Sequence, residues 1–478
     1  MLHSTDVSKS IHAETTQDAM HDMFQAQRTA FRTSPAFTIN RRLESLKNLR
    51  WLLLENGKSI QQSISEDFGN RSFAETEMLE IIPVLNAIRH TSRNLSAWMR
   101  PAARPVDIAF QPGRAWIRYE PLGVIGILAP WNYPLLLTLG PLVDAMAAGN
   151  RVMIKPSELT PRFSELLRKL VLVHFNPTDV TVVTGGPAMG RDFASLPFDH
   201  LIFTGSTSVG REVMKAAAKN LTPVTLELGG KSPAIVCADY AVQKAARSIA
   251  FGKFLNGGQT CIAPDYVLVP SDRCHAFAEH VIAEARRAYP TIQENPDYST
   301  IISERHRTRL IHALAEAKAG GATLLSSDPV PHQNSIAPTV VMNAPADCSL
   351  LKDEIFGPIL PVVSYETIEE ALSFINERPK PLALYCFSND RRIQDIILER
   401  ATSGGATING TLLHIAQDGL PFGGVGTSGM GAYHGRDGFR RFSHTRSVYK
   451  VGILNVFEHL GPPWGALAGR VASWMKRR

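Results

Sequence analysis

The chain predicts an α/β protein. Its expected architecture is two open, twisted-sheet α/β domains, with a β-hairpin arm projecting from them. Three observations carry that reading. Short apolar runs alternate with helical segments from Gly123 to about Cys237, which implies a parallel sheet with crossover helices. The alternation resumes after Cys261, so a second unit is expected, with the boundary near residues 228–231. Between the helical N-terminal part and the first unit stands an isolated pair of alternating runs around Pro112-Gly113.

Taken in order, Leu43, Leu46, Leu49, Leu53, Ile60 and Ile64 recur at helical spacing, as do Met78, Ile82, Leu85 and Ile88. Both stretches read as long amphipathic helices, and Pro101 ends this part. Residues 106–110 and 115–119 predict the hairpin, whose unpaired edges suit cover by another subunit or by an internal sheet. Strands are expected at 124–128, 152–154, 180–183, 201–203, 224–228 and 234–236, with a helix at 209–219. The second unit shows apolar runs at 267–269, 277–288, 371–375 and 382–387. The glycine-rich region 404–431 is expected to be loop. At the end, Trp464, Leu467, Val471 and Trp474 share a helical face before Lys476-Arg477-Arg478. Such a tail more often packs on its own protein than on a membrane.

Composition narrows the function. Of 478 residues, 44% are hydrophobic and 20% charged, ordinary for a soluble globular protein long enough for two or three domains. The net charge of +6 is a small excess of 50 basic over 44 acidic residues, and no basic run with interleaved aromatics marks a nucleic-acid groove. The 5 cysteines are odd in number, scattered and free of any CxxC pair. They fit no disulfide framework or zinc knuckle, and a reducing, cytoplasmic setting is expected. Residues 1–25 lack a signal-peptide core, and no run of about 18 apolar residues occurs to span a membrane.

Several residues point to chemistry. Cys261 ends the polar, glycine-rich segment Asn256-Gly257-Gly258-Gln259-Thr260-Cys261. A thiol placed there is a candidate nucleophile, given a base and an anion-stabilising group elsewhere. Glu227 stands between leucines at the end of a strand, where desolvation raises its pKa toward that of a base useful near neutral pH. An ordinary buried ion pair is the plainer alternative. Asn132, between Pro130-Trp131 and Tyr133-Pro134, sits in a loop stiff enough to hold its amide as an oxyanion donor, although a turn-forming Asn is the commoner role. Gly205-Ser206 follows a strand and opens a helix, a setting that suits a phosphate. GxGxxG and complete P-loop motifs are absent.

Together these pieces resemble the aldehyde dehydrogenase superfamily across residues 42–449. The matching motifs are Pro130-Trp131-Asn132, Lys155-Pro156-Ser157-Glu158, Phe203-Thr204-Gly205-Ser206, Leu226-Glu227-Leu228-Gly229-Gly230-Lys231, Gly258-Gln259-Thr260-Cys261, Glu354-Ile355-Phe356-Gly357-Pro358 and Pro421-Phe422-Gly423-Gly424. They stand in family order. The resemblance implies that Cys261 attacks the aldehyde carbon. It also implies that the Asn132 amide and the Cys261 N–H hold the oxyanion, and that Glu227 activates the water that hydrolyses the thioester. Lys155 and Glu158 would bind the adenine-side ribose, with Ser157 beside them, and Gly205 and Ser206 would border the pyrophosphate. Glu354 would hold the nicotinamide ribose, with Phe356, Pro130, Trp131 and Gly229 nearby. The cofactor implied is NAD, with NADP possible: Glu158 repels a 2′-phosphate and Lys155 offsets it. No metal is expected.

On the same footing, residues 1–103 and 123–228 form a Rossmann-like cofactor domain and 229–430 the catalytic domain. Residues 104–122 and 443–455 would be oligomerisation or bridging strands, and 456–478 a C-terminal tail. A homodimer is expected. The short N-terminal extension and residues 132–141 look like the class 3 branch. Asp67-Phe68-Gly69-Asn70-Arg71-Ser72 and Ala263-Pro264-Asp265-Tyr266 are similar to bacterial coniferyl aldehyde dehydrogenases, although fatty aldehyde enzymes share the second. An aromatic aldehyde is therefore expected, with a medium- or long-chain fatty aldehyde as the alternative. Two further classes fit the residues less well. A binding protein without catalysis conflicts with the presence of both Cys261 and Glu227, and transfer of the acyl group to phosphate or CoA conflicts with Glu227 as a water-activating base.

Overall fold

A computed structural model of the protein describes residues 14–34, 37–330, 334–453 and 455–477. The first 13 residues and Arg478 lie outside the described residues, and with them parts of the expected N-terminal domain and basic tail. Three sheets organise the chain. The six-stranded sheet runs, in spatial order, Gly429–Met430, Val224–Leu228, His200–Gly205, Val124–Leu128, Arg151–Lys155 and Val180–Val182. Every neighbouring pair is parallel except the first. The seven-stranded sheet runs Thr323–Ser326, Thr339–Met342, Ile359–Tyr365, Tyr266–Pro270, Pro233–Val236, Ala383–Phe387 and Gly405–Ile408. It too is parallel except at its first pair. The chain passes from one sheet to the other between Leu228 and Pro233.

The strands are continuous apolar runs because both faces are covered, as parallel sheets require. Val124, Ile125, Ile127, Val152, Met153 and Ile154 are all buried. Long helices cover the sheets. Ile39–Phe68 starts at Thr38, whose side chain caps the N–H of Arg41, and stops at Gly69 in the left-handed region at φ 85°. The second amphipathic stretch is not one regular helix. A π-helical turn at Glu77–Ile81 precedes the helix Ile82–Trp98, and such turns recur at functional sites.

Two expectations need correction. The arm is a three-stranded antiparallel ribbon of Ala102–Arg104, Arg114–Pro121 and Ser443–Lys450. Residues 106–110 are not its first strand: Ile108–Phe110 form a 3-10 turn, and the Asp107 carboxylate accepts the Ala109 N–H at 2.9 Å. Capping by Asp107 outweighs the local alternation, and Pro105, without an N–H, cannot continue a ladder. The region 404–431 is not all loop either, because Gly405–Ile408 and Gly429–Met430 are strands. Glycine serves close approach there: a Cβ on Gly429 would stand 2.2 Å from the Leu226 carbonyl oxygen. At the C-terminus the helix Ala466–Lys476 buries none of its side chains. Among the described residues, no helix is long and apolar enough to cross a membrane.

Candidate active site

The six-stranded sheet sends its site residues to one edge. Leu128 is followed by Pro130-Trp131-Asn132, Lys155 by Ser157 and Glu158, Gly205 by Ser206, and Glu227 stands next to last in its strand. All lie at the carboxyl ends of parallel strands. The strand order reverses between Val124–Leu128 and His200–Gly205, the kind of switch point where open α/β sheets bind ligands.

Cys261 comes from the crossover between the parallel strands Pro233–Val236 and Tyr266–Pro270. The helix Val242–Phe254 ends in a tight turn in which Asn256, Gly257 and Gly258 all have positive φ. Only glycine fits at 258, where a Cβ would stand 2.3 Å from the Gly357 oxygen. The half-buried thiol then lines an apolar cavity of about 260 Å³. Its walls come from distant segments: Met78, Leu79 and Ile82; Tyr133 and Leu136; Phe251 and Leu255; Leu412, Leu413 and Ile415. Asn86, Asp418 and His434 are polar positions in the same wall.

On its other sides Cys261 meets charge. Burial, then the carboxylates of Glu354 and Glu227, push the thiol up to about 12, while the N–H groups of Cys261 and Ile262 act the other way. Burial holds Glu227 well above the usual carboxylate range, the direction expected from its leucine neighbours, with only Arg441 opposing. Neither of its oxygens has a hydrogen-bond partner. Asn132 is buried, and its amide donates to the Gln259 carbonyl at 3.1 Å, which leaves a second N–H unused in that bond. Cys261, Glu227 and Asn132 are thus brought together from two sheets.

The remaining expected residues fit a dinucleotide. Glu354 packs on Gly229, where a Cβ would stand 2.0 Å from its Oε2, and its Oε1 is a buried acceptor without a partner. Burial, then Asp265, raise Glu354 to about 8, opposed by the Gly230 N–H, Lys231 and Arg309. Trp131 stacks edge-on to Phe356 at 5.4 Å and to His306 at 5.3 Å. Lys155 pairs with Glu158 at 3.1 Å beside a small cleft lined by Pro156, Ser157 and Glu158, with Glu14 and Glu165. Three carboxylates at that cleft disfavour an added phosphate. Ser206 caps the helix Thr207–Ala218, accepting the Val209 N–H at 3.4 Å. Two residues have a second, structural reason for their identity. Gly205 leaves room for the Phe203 ring, and Ser157 caps its own turn through the Leu159 N–H.

Sequence reasoning passed over Lys253. It is fully buried, its Nζ has no hydrogen-bond partner, and burial pulls it down to about 8 while Asp265 opposes. A lysine on an otherwise apolar helix face two residues before Leu255 was the available signal. Also missed was a charged cluster around Arg71, Glu75 and Glu80, all buried behind the Cys261 loop.

Comparison with known proteins shows what the chain is similar to. The profile of the aldehyde dehydrogenase family matches residues 3–448. A probable coniferyl aldehyde dehydrogenase of Pseudomonas aeruginosa is 48% identical over 443 residues, 93% of each chain. A dimeric, NADP-preferring aldehyde dehydrogenase of Rattus norvegicus is 39% identical over 443 residues, 92% of this chain and 96% of that one. The solved substrate-bound state of Staphylococcus aureus AldH matches with a TM-score of 0.90 at 36% identity, covering 95% of this chain and 99% of that one.

Proposed function

The chain belongs to the aldehyde dehydrogenase family, and from that premise we propose that it oxidises a coniferyl-type aromatic aldehyde to the acid through a thioester on Cys261. The activity itself, NAD(P)-dependent aldehyde oxidation, goes with the family, with NAD as cofactor and NADP possible. The observation that carries the residue assignment is one thiol opening into an apolar cavity with the carboxyl groups of Glu354 and Glu227 close enough to act on it.

The aldehyde enters the cavity with its carbonyl toward Cys261. The thiol, held high by burial, gives its proton to a carboxylate whose own affinity for protons is raised, Glu227. The sulfur adds to the carbonyl carbon, and the negative oxygen is met by the free N–H of the Asn132 amide and by the Cys261 N–H. Lys155, Ser157, Glu158, Gly205, Ser206, Gly229, Glu354 and Phe356, with Pro130 and Trp131, would hold NAD, which supplies the hydride acceptor when bound. Loss of hydride from the carbonyl carbon would leave the thioester; Glu227, having passed the thiol's proton to solvent, takes a proton from the water that attacks it and returns that proton to the departing sulfur. The acid leaves and the thiol is restored.

The aromatic substrate is supported by the likeness to the Pseudomonas relative and by Asn86, Asp418 and His434, which give a largely apolar wall partners for ring oxygens. A fatty aldehyde is the second reading, favoured by the aliphatic side chains that dominate that wall. Initial rates of NAD and NADP reduction with coniferyl aldehyde, cinnamaldehyde and decanal separate the two. The aromatic reading requires the highest kcat/KM for coniferyl aldehyde, and a preference for decanal removes it. A homodimer formed through the ribbon is proposed as well, because the outer edge of Ser443–Lys450 has no strand beside it among the described residues. A monomeric mass in solution would refute it.

A further inference from the structure

Behind the Cys261 loop lies a buried charged cluster that none of these steps uses. The Arg71 side chain is inaccessible and ion-pairs with Glu80. Its guanidinium lies 5.2 Å from the Phe68 ring and 4.9 Å from the Tyr133 ring, and Nε and Nη2 have no hydrogen-bond partner. A buried pair of this kind returns little net stability, because desolvation offsets the attraction. Its neighbours show what it does instead. The second oxygen of Glu80 accepts the N–H of Leu135 at 2.8 Å and of Leu136 at 3.1 Å, where the chain leaves the Asn132 loop and turns into a helix. Glu75 accepts the Asn256 N–H with both oxygens, at 3.1 and 3.0 Å. Asn256, at φ 52°, donates its side-chain amide to the Asn132 carbonyl at 2.9 Å. Asn132 donates back to Gln259, two residues before the thiol.

We propose that Glu75 and Glu80, set by Arg71, are positioning residues that fix the Asn132 amide relative to the Cys261 thiol and so build the oxyanion site. This rests on the assignment of Cys261 and Asn132 made above. One segment, from Arg71 to Glu80, grips both loops, and the loops meet at the Gln259 carbonyl. An oxyanion donor works only when aimed at the place the charge develops, and a misplacement of ~1 Å costs ~10²-fold in rate. The glycines at 257 and 258 leave the nucleophile loop unable to hold that aim alone. A carboxylate accepting a backbone N–H is a strong tie in a dry interior.

The test compares two reactions of one thiol. Alkylation of Cys261 by iodoacetamide needs the sulfur but no oxyanion donor, whereas turnover needs both. In the parent, alkylation of Cys261, followed by mass spectrometry of its peptide, must abolish turnover. If it does not, the assignment of Cys261 fails whatever the variants do. Glu75→Gln is then expected to lower kcat by ~10²-fold, the scale of a misplaced or lost donor. KM for the aldehyde and the alkylation rate should stay within a small factor of the parent. Asn256→Gly keeps a backbone that tolerates positive φ and the N–H that Glu75 accepts, and removes the side-chain ties to the Asn132 and Gln259 carbonyls, so it should give the same split even if Glu75→Gln fails to fold. Near-parental kcat in Asn256→Gly, or kcat and alkylation falling in equal proportion, overturns the proposal.

Discussion

The ground in front of Cys261 and the ground behind it are built on opposite terms. In front, the cavity wall is mostly apolar, drawn from segments as far apart as residues 78 and 435. Behind and beside it stand Glu227, Lys253 and the Arg71–Glu80 pair, all buried, and the half-buried Glu354, several with polar atoms that have no partner. On the proposed function, the front would recognise a substrate by removing apolar surface from water, a term that is graded and tolerant of exchange. The rear keeps charges desolvated, so that burial makes Glu227, Glu354 and Glu80 hold a proton more tightly than a free carboxyl and Lys253 less tightly than a free amine. Changes in front should therefore move KM and substrate preference, whereas changes behind should move kcat.

That contrast can be broken at several points. The largest effect is expected from Cys261→Ala, which should remove turnover by at least ~10⁴-fold, the scale of losing a nucleophile, while NAD binding measured by fluorescence quenching persists. Full activity would end the nucleophile assignment. Glu227→Gln should slow thioester hydrolysis by ~10²–10⁴-fold, with acyl-enzyme accumulating in a rapid-quench experiment. In the parent, the hydrolysis rate should rise with pH, because Glu227 must lose a proton that burial makes it hold. The variant should lose that limb of the profile. In front, Ile82→Ala should raise KM for an apolar aldehyde by ~5–10-fold and leave kcat almost unchanged, since losing three wall carbons that a substrate covers only in part is worth ~1 kcal/mol. A large loss of kcat there would erase the division between the two sides.

The smallest expected effect concerns stability. The folded chain holds the Glu227 proton at a pH where the unfolded chain, with a carboxyl near 4.5, has released it. Stability thus falls as pH rises from 4.5 toward the raised value. Glu227→Gln removes that penalty, so its melting temperature at pH 8 should exceed the parent's by a few degrees, and the gap should close toward pH 4. A variant that melts lower at pH 8 would mean that the carboxylate has a partner in the fold.

Much of the site was legible because its parts are local. Asn256 to Cys261 is a continuous turn, and Leu226 to Lys231 a strand end with its exit. Backbone constraints of that kind leave a mark on adjacent residues, as at Gly258, where any side chain would strike Gly357. The same locality misled at residues 106–110, where alternating apolar residues resembled a strand but Asp107 capped a turn. It misled again in the glycine-rich region, where Gly405–Ile408 pairs with Ala383–Phe387 and so depends on a partner some twenty residues away.

By itself, the sequence determined the class of chemistry, the family and the two-sheet plan, because each of these is written in short runs whose neighbours in sequence are neighbours in space. Only the tertiary structure decided the shape of the cavity, the proton affinities around Cys261 and the cluster that ties Asn132 to it. Burial and electrostatic interaction sum over every atom nearby, and Arg71, Asn132, Glu227 and Cys261 become neighbours only when two sheets and the helices before them close on one crevice.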